Sequence, residues 1–154
     1  MRALWLLVLL APACATSELD TDEQHASALA GDPIGFVDGG LWYRKVGCPS
    51  PDPSTCVHEA MFWVDLKIRN DAYDKRVGIV WIDRVRHDSS APWRLATASY
   101  EGTRGDGYET WGVDVSAGAI GGNEPRPQIQ LAAFVEMIGA TSWDNNGGAD
   151  HVIE

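Results

Sequence analysis

The chain is short of basic residues: 12 Lys and Arg stand against 22 Asp and Glu, a formal net charge of −10. Such a surface repels phosphate backbones and anionic head groups, which argues against nucleic acid as a partner and against electrostatic attachment to a membrane. Long apolar runs are also missing. The stretch from Leu4 to Leu10 falls well short of the roughly 20 residues that a spanning helix needs. No Gly-x-Ser-x-Gly, no His-Glu-x-x-His and no phosphate-cradling glycine loop occurs, so the signatures of the common hydrolases, zinc proteases and nucleotide binders are absent. His58-Glu59, His87-Asp88 and Asp150-His151 each set an imidazole beside a carboxylate. On a strand such neighbours point to opposite faces, so none of them is a ready acid–base pair. A glycosidase built on two carboxylates stays open, because acidic residues are plentiful. No internal repeat is present, and nothing calls for a cofactor.

Cysteine is scarce, with three residues in 154. Arg2, the apolar run after it and Ala11-Pro12-Ala13 have the charge, length and small cleavage-site residues of an export signal over residues 1–13. Cleavage before Cys14 would make it the first mature residue and acylate it, as in bacterial lipoproteins, although Ala11 stands where a lipobox usually has Leu. Ala11-x-Ala13 or Ala13-x-Ala15 suits an ordinary signal peptidase equally. The expectation is an exported protein, secreted or held at the outer membrane or cell surface through lipid on Cys14. Residues 14–33 are small, polar and acidic without a sustained period and read as a flexible tether. Within Cys48-Pro-Ser-Pro-Asp-Pro-Ser-Thr-Cys56, three prolines forbid a helix or a central strand. A disulfide across this loop suits export and stabilises by about 2–3 kcal/mol on a loop-entropy argument. A zinc site on Cys48, Cys56 and His58 is the rival, and it lacks a fourth ligand.

From residue 34 to residue 154 the texture changes to short β-rich runs broken by Gly, Pro, Asn and Asp. This predicts one cored domain, an all-β immunoglobulin-like antiparallel sandwich of about eight strands. Leu41 to Val46 is the first strand. In the longest, Phe62 to Asn70, Phe62, Val64, Leu66 and Ile68 face the core while Trp63, Asp65, Lys67 and Arg69 face out. Asn70 to Asp74 is a turn that exposes Tyr73. Arg76 to Ile82, Arg94 to Tyr100 and Tyr108 to Val115 follow, the last with Tyr108 pointing away from the core. Ile129 to Met137 comes next, with Ala132 and Phe134 outward. Gly139 to Asp150 turns the chain, and Val152-Ile153 closes it. Trp63, Trp81 and Trp111 are assigned to packing, and Trp42 to either role.

The nine residues from Trp143 to His151 join an indole to two carboxamides and two glycines. Asn146-Gly147 is first of all a strong hairpin signal. The same turn would project Asn145 and Asn146, whose amides both give and accept hydrogen bonds, beside an apolar ring. Sugar hydroxyls and the flat C–H faces of a pyranose are what such a group can hold.

Taken together, Asn70-x-x-Tyr73-x-Lys75-x-Val77, then Trp93, Ala98-Ser99-Tyr100, Tyr108-Glu-x-Trp111 and Trp143-Asp-Asn-Asn resemble carbohydrate-binding module family 21. That family comprises the starch-binding domains of fungal glucoamylases and the glycogen-targeting subunits of a protein phosphatase. The resemblance runs from about Phe62 to Ile153. It implies a sandwich that binds α-1,4-glucans such as starch, glycogen and maltooligosaccharides at two sites, without cleaving them. The first site would fall on Trp93, Trp143, Asn145, Asn146 and Asp150, the second on Asn70, Tyr73, Lys75, Tyr100 and Tyr108. Three departures bear on the first site: Ala132 stands where a further stacking ring belongs, Gly147 replaces an Asn often found there, and Asp150 replaces another.

Two other readings stay beside this one. The chain would serve as a phosphatase-targeting subunit if Arg84-Val85-Arg86-His87 acted as a docking segment, although it ends in His where an aromatic residue is needed, and export separates it from a cytosolic phosphatase. It would serve as an immunoglobulin-like scaffold or adhesion domain if its sugar sites had decayed. A monomer is expected in every case.

Overall fold

The alternation in Phe62, Val64, Leu66 and Ile68 sets the architecture: all four side chains are fully buried, and the residues between them are half-exposed. The computed structural model describes residues 31–86 and 91–154. The expected export signal, most of the tether, Cys14 and the His87-Asp88 pair lie outside these residues. The strands are β1 (Ile34–Gly47), β2 (Val57–Arg69), β3 (Lys75–Asp83), β4 (Arg94–Thr97), β5 (Ser99–Thr103), β6 (Tyr108–Gly121), β7 (Ile129–Met137), β8 (Ala140–Asp144) and β9 (His151–Ile153). One sheet has the order β1-β2-β6-β5. The other runs β4-β3-β7, with β8 and β9 both on the free side of β7. Every pairing is antiparallel. The inward rows of β2, β3 and β7 meet as the core of a β-sandwich. Trp81 lies in it edge-on to Phe62, at 4.9 Å between ring centroids.

Among the described residues nine strands form where about eight were expected, and each difference has a local cause. The run from Arg94 to Tyr100 is not one strand. Ala98 is buried between its halves and donates its N–H to the Val77 carbonyl at 2.8 Å, so β4 stays on β3 while β5 crosses to β6. The tight hairpin is also not at Asn146-Gly147. It sits at Ile138-Gly139, where Met137 pairs with Ala140 and both turn residues have positive φ, 53° and 76°. That is the geometry of a two-residue hairpin, and it makes Ala140 to Asp144 a strand where a turn was expected. The second strand of this hairpin is then interrupted rather than reversed. β8 and β9 run in the same direction along β7, and residues 145–150 stand out between them as an arc.

Ala132 and Phe134 point away from the core, but they are not exposed. They are 6 % and 3 % accessible. Phe134 lies between Gly78, where an added Cβ would come within 3.0 Å of its ring, and Trp143, at 5.3 Å between centroids. Cys48 and Cys56 are joined in a disulfide. The loop they close holds a short 3-10 turn, Pro53–Thr55, capped by the Asp52 carboxylate.

Candidate functional site

The outer face of the second sheet carries the first group of residues. Register sets Trp143, Phe134, Gly78 and Thr97 in one row across β8, β7, β3 and β4, with Ala132, Val80 and Leu95 in the next. Two residues before Leu95, Trp93 carries the face to the far corner, where the Arg84 guanidinium lies 5.7 Å from its ring. Trp143 and Trp93 are 45 % and 41 % exposed. Three strand spacings across and four residues along put their Cα atoms roughly 20 Å apart. They are the two ends of one broad face rather than one clamp, and Ala132 lies between them with no ring.

Beside Trp143, hydrogen bonds shape the 145–150 arc. Asn145 Oδ1 accepts from the Gly148 N–H at 3.1 Å, and the Asn145 carbonyl accepts from Asp150 N–H at 2.8 Å. Asn146 Nδ2 donates to the Asp150 carbonyl at 3.2 Å, while Asp150 Oδ2 accepts from Gln130 Nε2 at 2.5 Å. Half of each carboxamide is thus spent on the loop. Among the described residues the Asn145 amide nitrogen and the Asn146 amide oxygen have no protein partner.

Asp144 anchors the arc, and reading the sequence alone did not pick it out. It is 3 % exposed and accepts from the Phe36 N–H on β1 at 2.6 Å and from the Asn146 N–H at 3.2 Å. His151 Nε2 lies 3.1 Å from Oδ1, the oxygen that also takes the Asn146 N–H, and the imidazole stacks on Phe36 at 4.4 Å. Burial pushes the Asp144 carboxyl up. The close His151 imidazole and the hydrogen bonds from Phe36 and Asn146 outweigh it and hold the group below its ordinary value. The signal available was position: the residue after an exposed strand-end Trp faces the core.

The second group gathers at the end of β2 that leads into β3. Tyr73 stands fully exposed at the tip of the β2–β3 turn, and Tyr100 is 52 % exposed on the edge strand β5. Between them runs a polar chain. Lys75 Nζ donates to Asn70 Oδ1 at 3.1 Å and to Glu109 Oε2 at 2.9 Å, Trp111 Nε1 donates to the same Glu109 oxygen at 2.9 Å, and the Trp111 ring meets Tyr100 edge-on at 5.7 Å. This corrects the expectation for Lys75. Its side chain is 1 % exposed, so it orients Asn70 from beneath and does not itself meet solvent. Glu109, its buried partner, was not singled out in the sequence. Tyr108 is set apart from this chain: it lies on the other face of the first sheet, with Lys67 Nζ 3.9 Å from its ring centroid.

No protein-family model and no curated protein matches this sequence. Among solved structures the chain is similar to the starch-binding domain of Rhizopus oryzae glucoamylase, determined in complex with β-cyclodextrin and maltoheptaose. The TM-score is 0.54 at 23% identity, over 84% of this chain and 99% of that one. It is also similar to the carbohydrate-binding module of the muscle glycogen-targeting subunit of protein phosphatase 1, with a TM-score of 0.45, 14% identity, and 78% and 73% of the two chains covered. A circularly permuted module of family 21 gives a TM-score of 0.36 at 17% identity, over 80% and 95%. The first likeness establishes a shared fold.

Proposed function

We propose that this chain is an exported, non-catalytic module that holds α-1,4-glucans of the starch and glycogen type. One observation carries the reading. The rings of Trp93, Trp143, Tyr73 and Tyr100 are presented to solvent, at the positions where the residue pattern asks for sugar-stacking aromatics. The fold shared with a starch-binding domain that takes β-cyclodextrin and maltoheptaose supports it. If base-on-aromatic stacking is a fair guide, each ring contributes roughly 1–3 kcal/mol. Trp143→Ala and Tyr73→Ala, made separately, are each expected to weaken retention on immobilised amylose by about tenfold, Tyr73→Ala without a change in melting temperature and Trp143→Ala with a modest fall as Phe134 is uncovered. Retention that neither change affects would favour a scaffold or adhesion domain.

Two observations bear on the rivals. In the phosphatase-docking segment, Arg86 is spent inside the protein, bonding the Asp83 carboxylate and the Ala117 carbonyl. Among the described acids with a displaced carboxyl, Asp65 is the one held above its ordinary value, by partial burial and by Asp38 and Asp114. It lies on the outer face of the first sheet, away from both aromatic groups. Reducing-sugar release from soluble starch that is lost in Asp65→Asn would replace the binding reading with a hydrolytic one.

A further inference from the structure

At the end of the sandwich that carries the disulfide, a cleft of about 320 Å³ opens between Tyr43, Pro53, His58, Ile120, Glu124 and Arg126. None of these residues belongs to the two groups described above. His58 lies near the start of β2 and Arg69 at its end, so about eleven residues at ~3.3 Å each put the cleft roughly 36 Å from Arg69, which precedes Asn70. Trp93 and Trp143 sit on the other sheet.

Its walls follow from the sequence. Tyr43 and Ile120 point to the core side of β1 and β6, in register with Ala60 and His58. The disulfide loop supplies the opposite wall, and Gly122 packs so closely on it that an added Cβ would lie 2.5 Å from the Ser54 carbonyl oxygen. The Glu124 side chain folds back over Gly121, while the Arg126 guanidinium lies 5.5 Å from the Tyr43 ring centroid. Among the described residues, Glu124 and Arg126 share the cleft without pairing, and the His58 imidazole has no hydrogen-bond partner.

The cleft therefore offers a donor fork, an acceptor carboxylate, an imidazole able to give or take, and apolar surface from Tyr43, Ile120 and Pro53. An anion would suit Arg126 but would meet Glu124 and the overall charge of −10. A purely apolar ligand would strand three polar groups. A pyranose matches all of these features, because each hydroxyl both gives and accepts and its faces are C–H. The volume lies at the low end of the roughly 300–1,000 Å³ typical of small-molecule clefts, and walls on several sides suit a chain end better than a passing chain. We propose that this cleft is a third saccharide site, which takes the terminal one or two units of a glucan. It rests on the glucan-binding reading for the choice of sugar.

The test uses the full-length protein carrying Trp143→Ala and Tyr73→Ala, followed by amide NMR during titration. Maltose and maltoheptaose, which have chain ends, are expected to shift the Gly121, Gly122 and Arg126 amides saturably, and β-cyclodextrin, which has none, is expected to leave them unmoved. Glu124→Ala or Arg126→Ala should weaken the maltose response at least tenfold with an unchanged melting temperature. No saturable shift, an equal response to β-cyclodextrin, or a response that survives both substitutions would overturn the proposal. Amylose retention by the unmodified protein, with no shift at these amides, would defeat this site alone and leave the glucan-binding reading standing.

Discussion

Asp144 shows how one buried residue can decide whether an exposed arc is in place. Its carboxylate takes the Phe36 N–H of β1 and the Asn146 N–H of the arc, so one buried charge ties Trp143 and its neighbours to the first sheet. Because its folded-state value is depressed, the stability it supplies is complete above the ordinary carboxylate value of 3.8 and is lost as pH falls through the lower folded value. Asp144→Asn is expected to destabilise by about 1.5–3 kcal/mol, the range for hydrogen bonds to a charged group. It should also flatten the acid side of the stability profile, as followed by thermal melts between pH 2.5 and pH 7. An unchanged profile would mean that other carboxylates carry the acid dependence. Single residues were unevenly legible in the sequence. Tyr73 could be placed outside from its turn neighbours alone. Lys75 could not be placed inside, since its partner Glu109 is 34 positions away on the other sheet and only the packing of the two sheets brings them together.

At the scale of strands and turns, periodicity located most of the fold, because β2 alternates buried and half-exposed residues from Ala60 to Arg69 and burial on one face enforces that alternation, whereas β7 is buried on both faces from Leu131 to Val135. Periodicity failed where tertiary context overrode local preference. Asn146-Gly147 carries the stronger turn signal, yet the chain reverses at Ile138-Gly139, because β7 must receive β8 for Trp143 to cover Phe134. The arc then uses the positive φ of Asn146 and Gly147 for another purpose, turning 145–150 outward between two collinear strands. Ile138 has φ of 53° and is 80 % exposed, an unfavourable conformation for a β-branched residue with little packing in return. Ile138→Asn, the residue type that this turn favours, should raise stability by about 0.5–1 kcal/mol. Chemical denaturation would show this as a higher midpoint at an unchanged slope. A lower midpoint would mean that the Ile138 side chain packs in a way that offsets its strain.

Across the whole molecule, the two aromatic groups occupy different places on one rigid sandwich: the outer face of the second sheet, and the end where β2 passes into β3. Sites arranged in this way can engage one long chain or two neighbouring ones, and avidity then exceeds the affinity of either site. Neither the sequence pattern nor the net charge of −10 interferes with a neutral polyhydroxylated ligand. The missing ring at Ala132 leaves Trp93 and Trp143 as separate ends of the first face, so under the proposed glucan binding the chains held best there are those long enough to reach both. The measurement that bears most directly on all of this is calorimetric titration of the purified protein with β-cyclodextrin, beside a cellulose-derived oligosaccharide as control. Saturable binding of β-cyclodextrin with none of the control is the predicted result. Equal heats from both, or none from either, would contradict the account.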